Sequence, residues 1–555
     1  MPAPRLTGAT LATLRRLAQT PLVHLIRRQA LRDYGVDALF ALGPVDRQRL
    51  DVTPKPLQAR APRPFGEGRL PAPPSAVPTA ASIRAAFASG TTTPTAVLAR
   101  LATRITAERW GLATFSPFSD LDLERARAAA EAATRRWRAG TPLGPLDGIP
   151  VSVKDEQDVA GLPTRVGTKY FSGPAKRDAF IVSTLRDAGA VVIGKTKMTE
   201  LGLSPVGCNV HHDLPRNVYS AAHAAGGSST GAGVAVALGI GPIAVGADGG
   251  GSVRIPACHS GVFGLKPTFG RVGRTGDACG DLTVFHIGPL AASVQDIAEW
   301  MAVCGAPLDP DDDCAVWATD RAHVAADCLE AVGRGVRGAR LGVLRGEFAD
   351  APPAIAACAE RALRELEKAG AQLVDVDIRL AAHAGAIGMM VIGPEAMANL
   401  IDDLNTHGDD MSDSLRLVLS LLRTLSGEEV LVAARHRAAL RRQAADVLTD
   451  VDLLATPTLA CPPRPYARSE AGLDVSDADG TRLLTRFAFF ANLTGLPAAS
   501  VPCGMAATGT GAFPAGLQLI GDAWDEASVI AAMAACARAG VCEVPRPVGW
   551  GSILD

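Results

Sequence analysis

The sequence predicts an α/β protein: an α/β/α layered fold in which a large mixed β-sheet is covered by helices on both faces. Three observations predict it. From about residue 81 onward, helical stretches alternate with short β-branched runs. The chain is 48% apolar, with few aromatic residues and abundant Ala and Gly, a composition suited to helices packed closely on a sheet. Its 555 residues exceed what one ordinary core supports, so the body is either one large α/β unit or several lobes.

Taken in order, residues 1–51 read as an N-terminal helical extension, with an amphipathic stretch from Leu11 to Leu31 interrupted by Arg15, Arg16, Arg27 and Arg28. That stretch could lie on a membrane or against the protein's own body; the second reading is preferred, and no signal peptide is expected. Residues 52–80 form a proline-rich connector, and residues 81–545 the main domain. Within it, a helix is expected near 122–138, a strand at Ile149 to Val153, and a helix at 179–188 opened by Asp178 as N-cap and closed by Gly189. AVVIG then reads as a buried strand. Ser293 to Cys304 is a helix with a serine cap and a glycine stop. ARLGVLRG, AQLVDVDI, DLLATPT and AASVPCG are further strand candidates. Residues 380–450 carry helical pattern without strand signals and read as a cover beside the sheet.

A formal net charge of −2 gives no overall field toward nucleic acid or any other polyanion. Eleven cysteines are scattered, odd in number and free of any C-x-x-C pair, which points to reduced thiols and a cytoplasmic setting. No segment offers the roughly 18 uninterrupted apolar residues of a membrane span.

Chemistry concentrates in residues 226–257, GGSSTGAGVAVALGIGPIAVGADGGGSVRIPA, where two serine-bearing glycine turns flank a small-residue helix and a short strand. Glycine turns present hydroxyls at element ends and leave backbone N–H groups open to a substrate oxygen, as acyl transfer requires. Ser252 ends the run Gly249-Gly250-Gly251, a nest of donors suited to an oxyanion, and is the expected nucleophile. No histidine lies in either turn. The expected base is Lys154, at the end of IPVSVK, because burial disfavours the charged amine. Ser228 would relay the proton between them, provided that Asp155, Glu156 and Asp158 point away from Lys154. Activity should then rise on the alkaline side.

GPLDGIPVSVKDEQDVAGLPT, the GGSS-to-GGGSVRIPA block, LLATPT, and ANLTGLPAASVPCG with GLQLIGDAWDEA stand in an order that resembles the amidase signature family, across about residues 81–540. The resemblance implies a triad of Lys154, Ser228 joined through a cis peptide, and Ser252. It implies an oxyanion hole from the backbone of Gly249, Gly250, Gly251 and Ser252, an acyl-enzyme on Ser252, and Arg254 bracing the turn. No cofactor and no metal are expected; the partner is a small-molecule amide, and a homodimer is an assembly open to the chain. Thr230 and Ala225 depart from residues common in the family. The long extension and GADGGGSVRIPA lean toward the plant-type fatty-acid amide hydrolase branch, hence toward N-acyl or other hydrophobic amides. The alternative implied by the same family is the catalytic component of a tRNA-dependent amidotransferase, handing ammonia to a partner.

Other readings compete with these. A glycine turn before a small-residue helix also binds anions or merely packs, but no Lys-Ser or Lys-Thr pair follows the glycines as in a P-loop. Gly227 to Gly231 fits G-x-S-x-G with Ser229 as nucleophile, yet VYSAAHAA is a poor strand to precede such an elbow. Cys208 with His211 and His212, and Cys258 with His259, lack regular zinc spacing. Arg216 and Asn217 are read equally as an entrance lining or a loop tie.

Overall fold

A computed structural model describes residues 5–42, 52–73, 75, 77–106, 115–170, 173–280, 282–466, 474–547 and 549–554. Among the described residues eleven strands form one mixed sheet. Their order is Gln372–Val376, Arg340–Leu344, Leu453–Pro457, Gly511–Gly521, Ala498–Thr508, Phe263–Lys266, His286–Ala291, Ile243–Asp248, Pro150–Lys154, Val191–Thr196 and Phe118–Leu121. Parallel pairs lie toward both ends, and antiparallel pairs join the middle.

Alternation along each strand feeds two cores. Val192, Ile243 and Val245 belong to a large cluster that also takes Ile297 and Trp300 of Val294–Cys304, Cys328 of Arg321–Arg334 and Val529 of Glu526–Arg538. Val191, Ile193 and Ala244 face the other way, toward Ile83, Leu101, Ala130 and the wholly buried helix Thr230–Ala237. Neighbouring residues of one strand therefore meet helices on opposite faces, which is the layered arrangement expected.

The expected helices near 122–138 and 293–304 form as Leu123–Ala139, capped by Asp122, and Val294–Cys304, capped by Ser293. The strands expected at 149–153 and AVVIG form as Pro150–Lys154 and Val191–Thr196. The helix expected at 179–188 forms as Phe180–Asp187, but Asp178 does not cap it. Its carboxylate instead accepts the Ala160 N–H at 2.8 Å and faces Arg186. Four strands of the sheet escaped notice, Phe118–Leu121, Phe263–Lys266, His286–Ala291 and Gly511–Gly521; in the last three Gly264, Gly288, Pro289, Pro514 and Gly516 dilute the strand signal. VYSAAHAA, dismissed as strand, contains Ser220–Ala224, paired with Arg216–Asn217 in a small sheet apart from the main one.

The N-terminal stripe is two helices, Gly8–Ala18 and Val23–Asp33, broken at Pro21, which lacks the N–H a continuous helix needs. Leu11, Ala18 and Val23 pack with Leu417 of Asp413–Leu422, while Leu22 and Leu25 stay exposed. Arg15 bonds Asp413 at 2.8 Å, and Leu6–Thr7 pairs as a strand with Val475–Ser476. Residues 52–73 carry no helix or strand. They are strapped to the body where the Ala59 N–H meets Asp522, Arg60 meets Asp452, and the Leu70 N–H meets the Gly333 carbonyl. The boundary drawn at residue 51 lies outside the described residues. Residues 380–450 are helical, in Ala384–Asn399, Ile401–His407, Asp413–Leu422 and Gly427–Leu448. No single described helix is long and apolar enough to cross a membrane.

Candidate active site

Pro150–Lys154 and Ile243–Asp248 run parallel and adjacent, so their C-terminal ends open on the same edge of the sheet. Lys154 ends the first, and the turn carrying Ser252 follows the second. Ser228 lies just before Thr230–Ala237, on a turn that brings it to that edge. The peptide Gly227–Ser228 is cis. The Ser228 carbonyl accepts from the N–H groups of Thr230 at 2.9 Å and Thr199 at 3.3 Å, and the Ser229 N–H donates to the Ser252 carbonyl at 3.3 Å. That last bond ties the two serine turns together.

Lys154 Nζ donates to Ser228 Oγ at 2.8 Å. Lys154 and Ser228 are 1% exposed and Ser252 is 9% exposed, so of the three the serine expected to attack is the one open to solvent. Of the three acids following Lys154, two turn away as expected and one does not. Asp155 turns away, pairing with Lys195 at 2.9 Å, and Asp158 accepts from Thr164. Glu156 does not turn away: its Oε1 lies 2.7 Å from Lys154 Nζ, with both side chains 1% exposed. The strand ends at Lys154, and Asp155 and Glu156 form a turn closed by the Gln157 N–H on the Lys154 carbonyl at 3.1 Å, which folds Glu156 back beside the amine.

Asp248 organises the turn that carries Ser252. Its carboxylate accepts the N–H groups of Gly251 at 2.7 Å and Val253 at 3.1 Å, and Arg254 holds it from the other side through Nε at 3.0 Å and Nη2 at 2.9 Å. Burial opposes the charge, but Arg254 and Asn492 outweigh it and keep the carboxyl well below the usual carboxylate range. Arg254 also bonds Asn492, Gln518 and the Ala488 carbonyl, all buried. Gly251 was expected among the oxyanion donors; its N–H is engaged by Asp248. Gly249, Gly250 and Ser252 have no acceptor on their N–H among the described residues. The turn is roofed by apolar side chains: a Cβ on Gly249 would meet Ile392 at 3.2 Å, and one on Gly250 would meet the Phe489 ring at 2.6 Å. Only glycine leaves this roof undisturbed.

A cavity of about 70 Å³ adjoins the segment that carries Glu200 and Leu203, with Met389, Leu415, Val475 and the N-terminal Tyr34 on its walls. The other residues weighed from sequence are held elsewhere. Ser229 Oγ donates to the Ala247 carbonyl at 3.2 Å, inside the helix–strand contact. Arg216 donates to the Tyr466 carbonyl and stacks on its ring, and Asn217 donates to the His259 carbonyl, so both tie loops. His211 meets Glu200 and His212 meets the Thr168 carbonyl. Cys258 and His259 are buried. Sequence reasoning missed Asp248, Asn492 and Gln518, although all three stand inside motifs that drew attention, and missed Asp277 and Cys279, which lie beside Glu156.

Comparison with known proteins bears on the family and the fold. Residues 113–530 match the family described as Amidase. The chain is 33% identical over 447 residues to a fatty acid amide hydrolase of Medicago truncatula, covering 78% of this chain and 71% of that one. It is 32% identical over 477 residues to one component of the glutamyl-tRNA(Gln) amidotransferase of Chloroflexus aurantiacus, covering 81% and 94% respectively. The solved structure of native peptide amidase from Stenotrophomonas maltophilia superposes with a TM-score of 0.66 at 29% identity, covering 85% of this chain and 98% of that one.

Proposed function

The chain belongs to the amidase family and is an amidase; from that premise we propose that it cleaves carboxylic amide C–N bonds through Lys154, Ser228 and Ser252. Lys154 takes the Ser228 proton as Ser228 takes that of Ser252, and Ser252 Oγ attacks the carbonyl carbon. The N–H groups of Gly249, Gly250 and Ser252 receive the developing oxyanion, one such donor being worth roughly 3 kcal/mol. The leaving nitrogen takes the proton back, and water then releases the acyl group from Ser252. The observation that carries this reading is the 2.8 Å bond between the buried Lys154 amine and Ser228 Oγ.

Hydrophobic or N-acyl amides are the proposed substrates, supported by the roof of Ile392 and Phe489 over the glycines and by the likeness to the plant hydrolase. The similarity to an amidotransferase component supports a second reading, ammonia transfer with a partner. The division at residues 51 and 80, and a cytoplasmic setting inferred from eleven free cysteines, belong to the same proposal.

The test compares Ser252→Ala with Ser229→Ala on a panel of primary amides, N-acyl ethanolamides, anilides and peptide amides. Ser252→Ala should abolish turnover and acyl-enzyme mass, whereas Ser229→Ala should keep the chemistry and lose about 1 kcal/mol of stability. The opposite pattern overturns the assignment. Turnover that needs a partner protein favours the second reading.

A further inference from the structure

The Lys154 amine stands between two groups. Ser228 Oγ is at 2.8 Å on one side and Glu156 Oε1 at 2.7 Å on the other. Behind Glu156 is Asp277, from the segment after Phe263–Lys266; carboxylate oxygens of Glu156 and Asp277 and the Cys279 sulfur lie within 4.8 Å of one another. Asp277 accepts from Gln157 Nε2 and from the Cys279 N–H, both at 2.9 Å. The other groups around the cluster are neutral or engaged. The Cys279 thiol is pushed up, first by burial and then by Glu156. The Asp155–Lys195 pair faces away, and the backbone of Gly202 closes the side nearest Glu156. Glu200, two residues before Gly202, is paired with His211. Burial, and after it the Glu156 charge, raise the Asp277 carboxyl well above its ordinary range. With one proton on the two carboxyls and an ammonium on Lys154, the cluster is neutral.

We propose that Glu156, supported by Asp277, is the acceptor that converts Lys154 from ammonium to free amine. The inference rests on Lys154 being the base of the proposed triad. One N–H bond of the ammonium breaks and an O–H bond forms on Glu156 Oε1 across the 2.7 Å contact. The amine lone pair so released takes the proton of Ser228. The hand-over itself leaves the cluster's net charge unchanged, and the proton then taken from Ser228 is balanced by the oxyanion formed on the substrate, whereas releasing the ammonium proton to solvent would leave a buried carboxylate without its cation. Glu156 acts through Lys154 and is thus a positioning residue. It also changes the pH dependence expected from a lone lysine, because the hand-over needs Glu156 free of a proton.

The test uses the full chain and an alkyl fluorophosphonate, whose fluoride is displaced by an activated serine hydroxyl, so that it reads activation without knowledge of the substrate. Labelling rates are followed by intact mass from pH 5 to 10. Wild type should reach its plateau near neutral pH. Glu156→Gln should fall about 100-fold at pH 7 and recover toward pH 10, where an ordinary lysine loses its proton to solvent. Glu156→Asp should restore part of the neutral rate. Asp277→Asn, which removes the carboxyl behind Glu156, should lower the neutral rate by less than Glu156→Gln does, and a larger loss overturns the supporting part given to Asp277. Faster labelling of Glu156→Gln at pH 7 would mean that Glu156 only stabilises the ammonium, and a parallel loss at every pH would mean a structural role; either overturns the proposal. If Glu156→Gln does not fold, the Glu156→Asp profile decides: a loss confined to neutral pH supports the proposal, and a parallel loss at every pH overturns it. Ser252→Ala reports separately: labelling that survives there refutes the triad itself, whatever Glu156 does.

Discussion

Replacing Arg254 by methionine tests how the nucleophile turn is held. The guanidinium makes two bonds to Asp248, at 2.9 and 3.0 Å, and one each to Asn492, Gln518 and the Ala488 carbonyl, at 2.6, 2.6 and 2.9 Å. Asp248 and Arg254 are both 0% exposed, so solvent cannot replace the lost partner. Removing one member of such a pair leaves an uncompensated buried charge and destabilises by about 3–5 kcal/mol. For 555 residues the unfolding entropy is about 1.2 kcal/mol/K, so the melting temperature should drop by about 3–4 °C. Adding Asp248→Asn removes the stranded charge, and the double variant should be less damaged than the sum of the singles by about 1–3 kcal/mol. Thermal melts of the four proteins in one buffer measure this, with fluorophosphonate labelling run beside them. Because Asp248 anchors the N–H groups of Gly251 and Val253, labelling of Ser252 should fall in Arg254→Met. A melt within about 1 °C of wild type, or effects that simply add, would refute the reasoning.

Two further outcomes are expected. Gly250→Ala brings a Cβ to 2.6 Å from the Phe489 ring; overpacking of about 1–3 kcal/mol should distort the donor turn and lower kcat by about 10- to 100-fold, with Phe489→Leu restoring part of it. An unchanged kcat in Gly250→Ala would show that the turn tolerates displacement. Burial pushes His259 down to about 3 from its ordinary 6.5. Between those values the unfolded chain binds a proton that the folded chain refuses, so its contribution is intact above pH 6.5 and is lost as pH falls toward 3, by up to about 1.4 kcal/mol per pH unit. Urea titrations at about pH 7 and about pH 4.5 should show a shallower loss in His259→Met; an identical loss would contradict this.

The layered fold was legible because its signals are local: strand runs such as AVVIG, a cap such as Ser293, and glycine turns that present serines. Lys154 and Ser228 stood out for the same reason, and the structure brings them to 2.8 Å. Glu156 was turned the wrong way by attention to charge alone, because the strand ends at Lys154 and a turn closed by the Gln157 N–H folds Glu156 back toward the amine. Asp277 was not legible, because it reaches Glu156 from a loop 121 positions away whose course no local pattern dictates. Asn492 and Gln518 were noticed as motif letters, but their bonds to Arg254 span 238 and 264 positions and depend on the order of strands across the sheet.

The pairing of Leu6–Thr7 with Val475–Ser476, and of Arg15 with Asp413 across 398 positions, sets an order of events during synthesis. The arm leaves the ribosome before its docking surface, which follows only after about 400 further residues, roughly 20–80 s later at about 5–20 residues per second. For that interval Leu11 and Val23 have no Leu417 to cover them. Since Val475 and Tyr34 both line the cavity, its walls join segments made at widely separated times. A nascent enzyme stalled before residue 413 would carry Lys154, Ser228 and Ser252 already translated, with that pocket still unwalled.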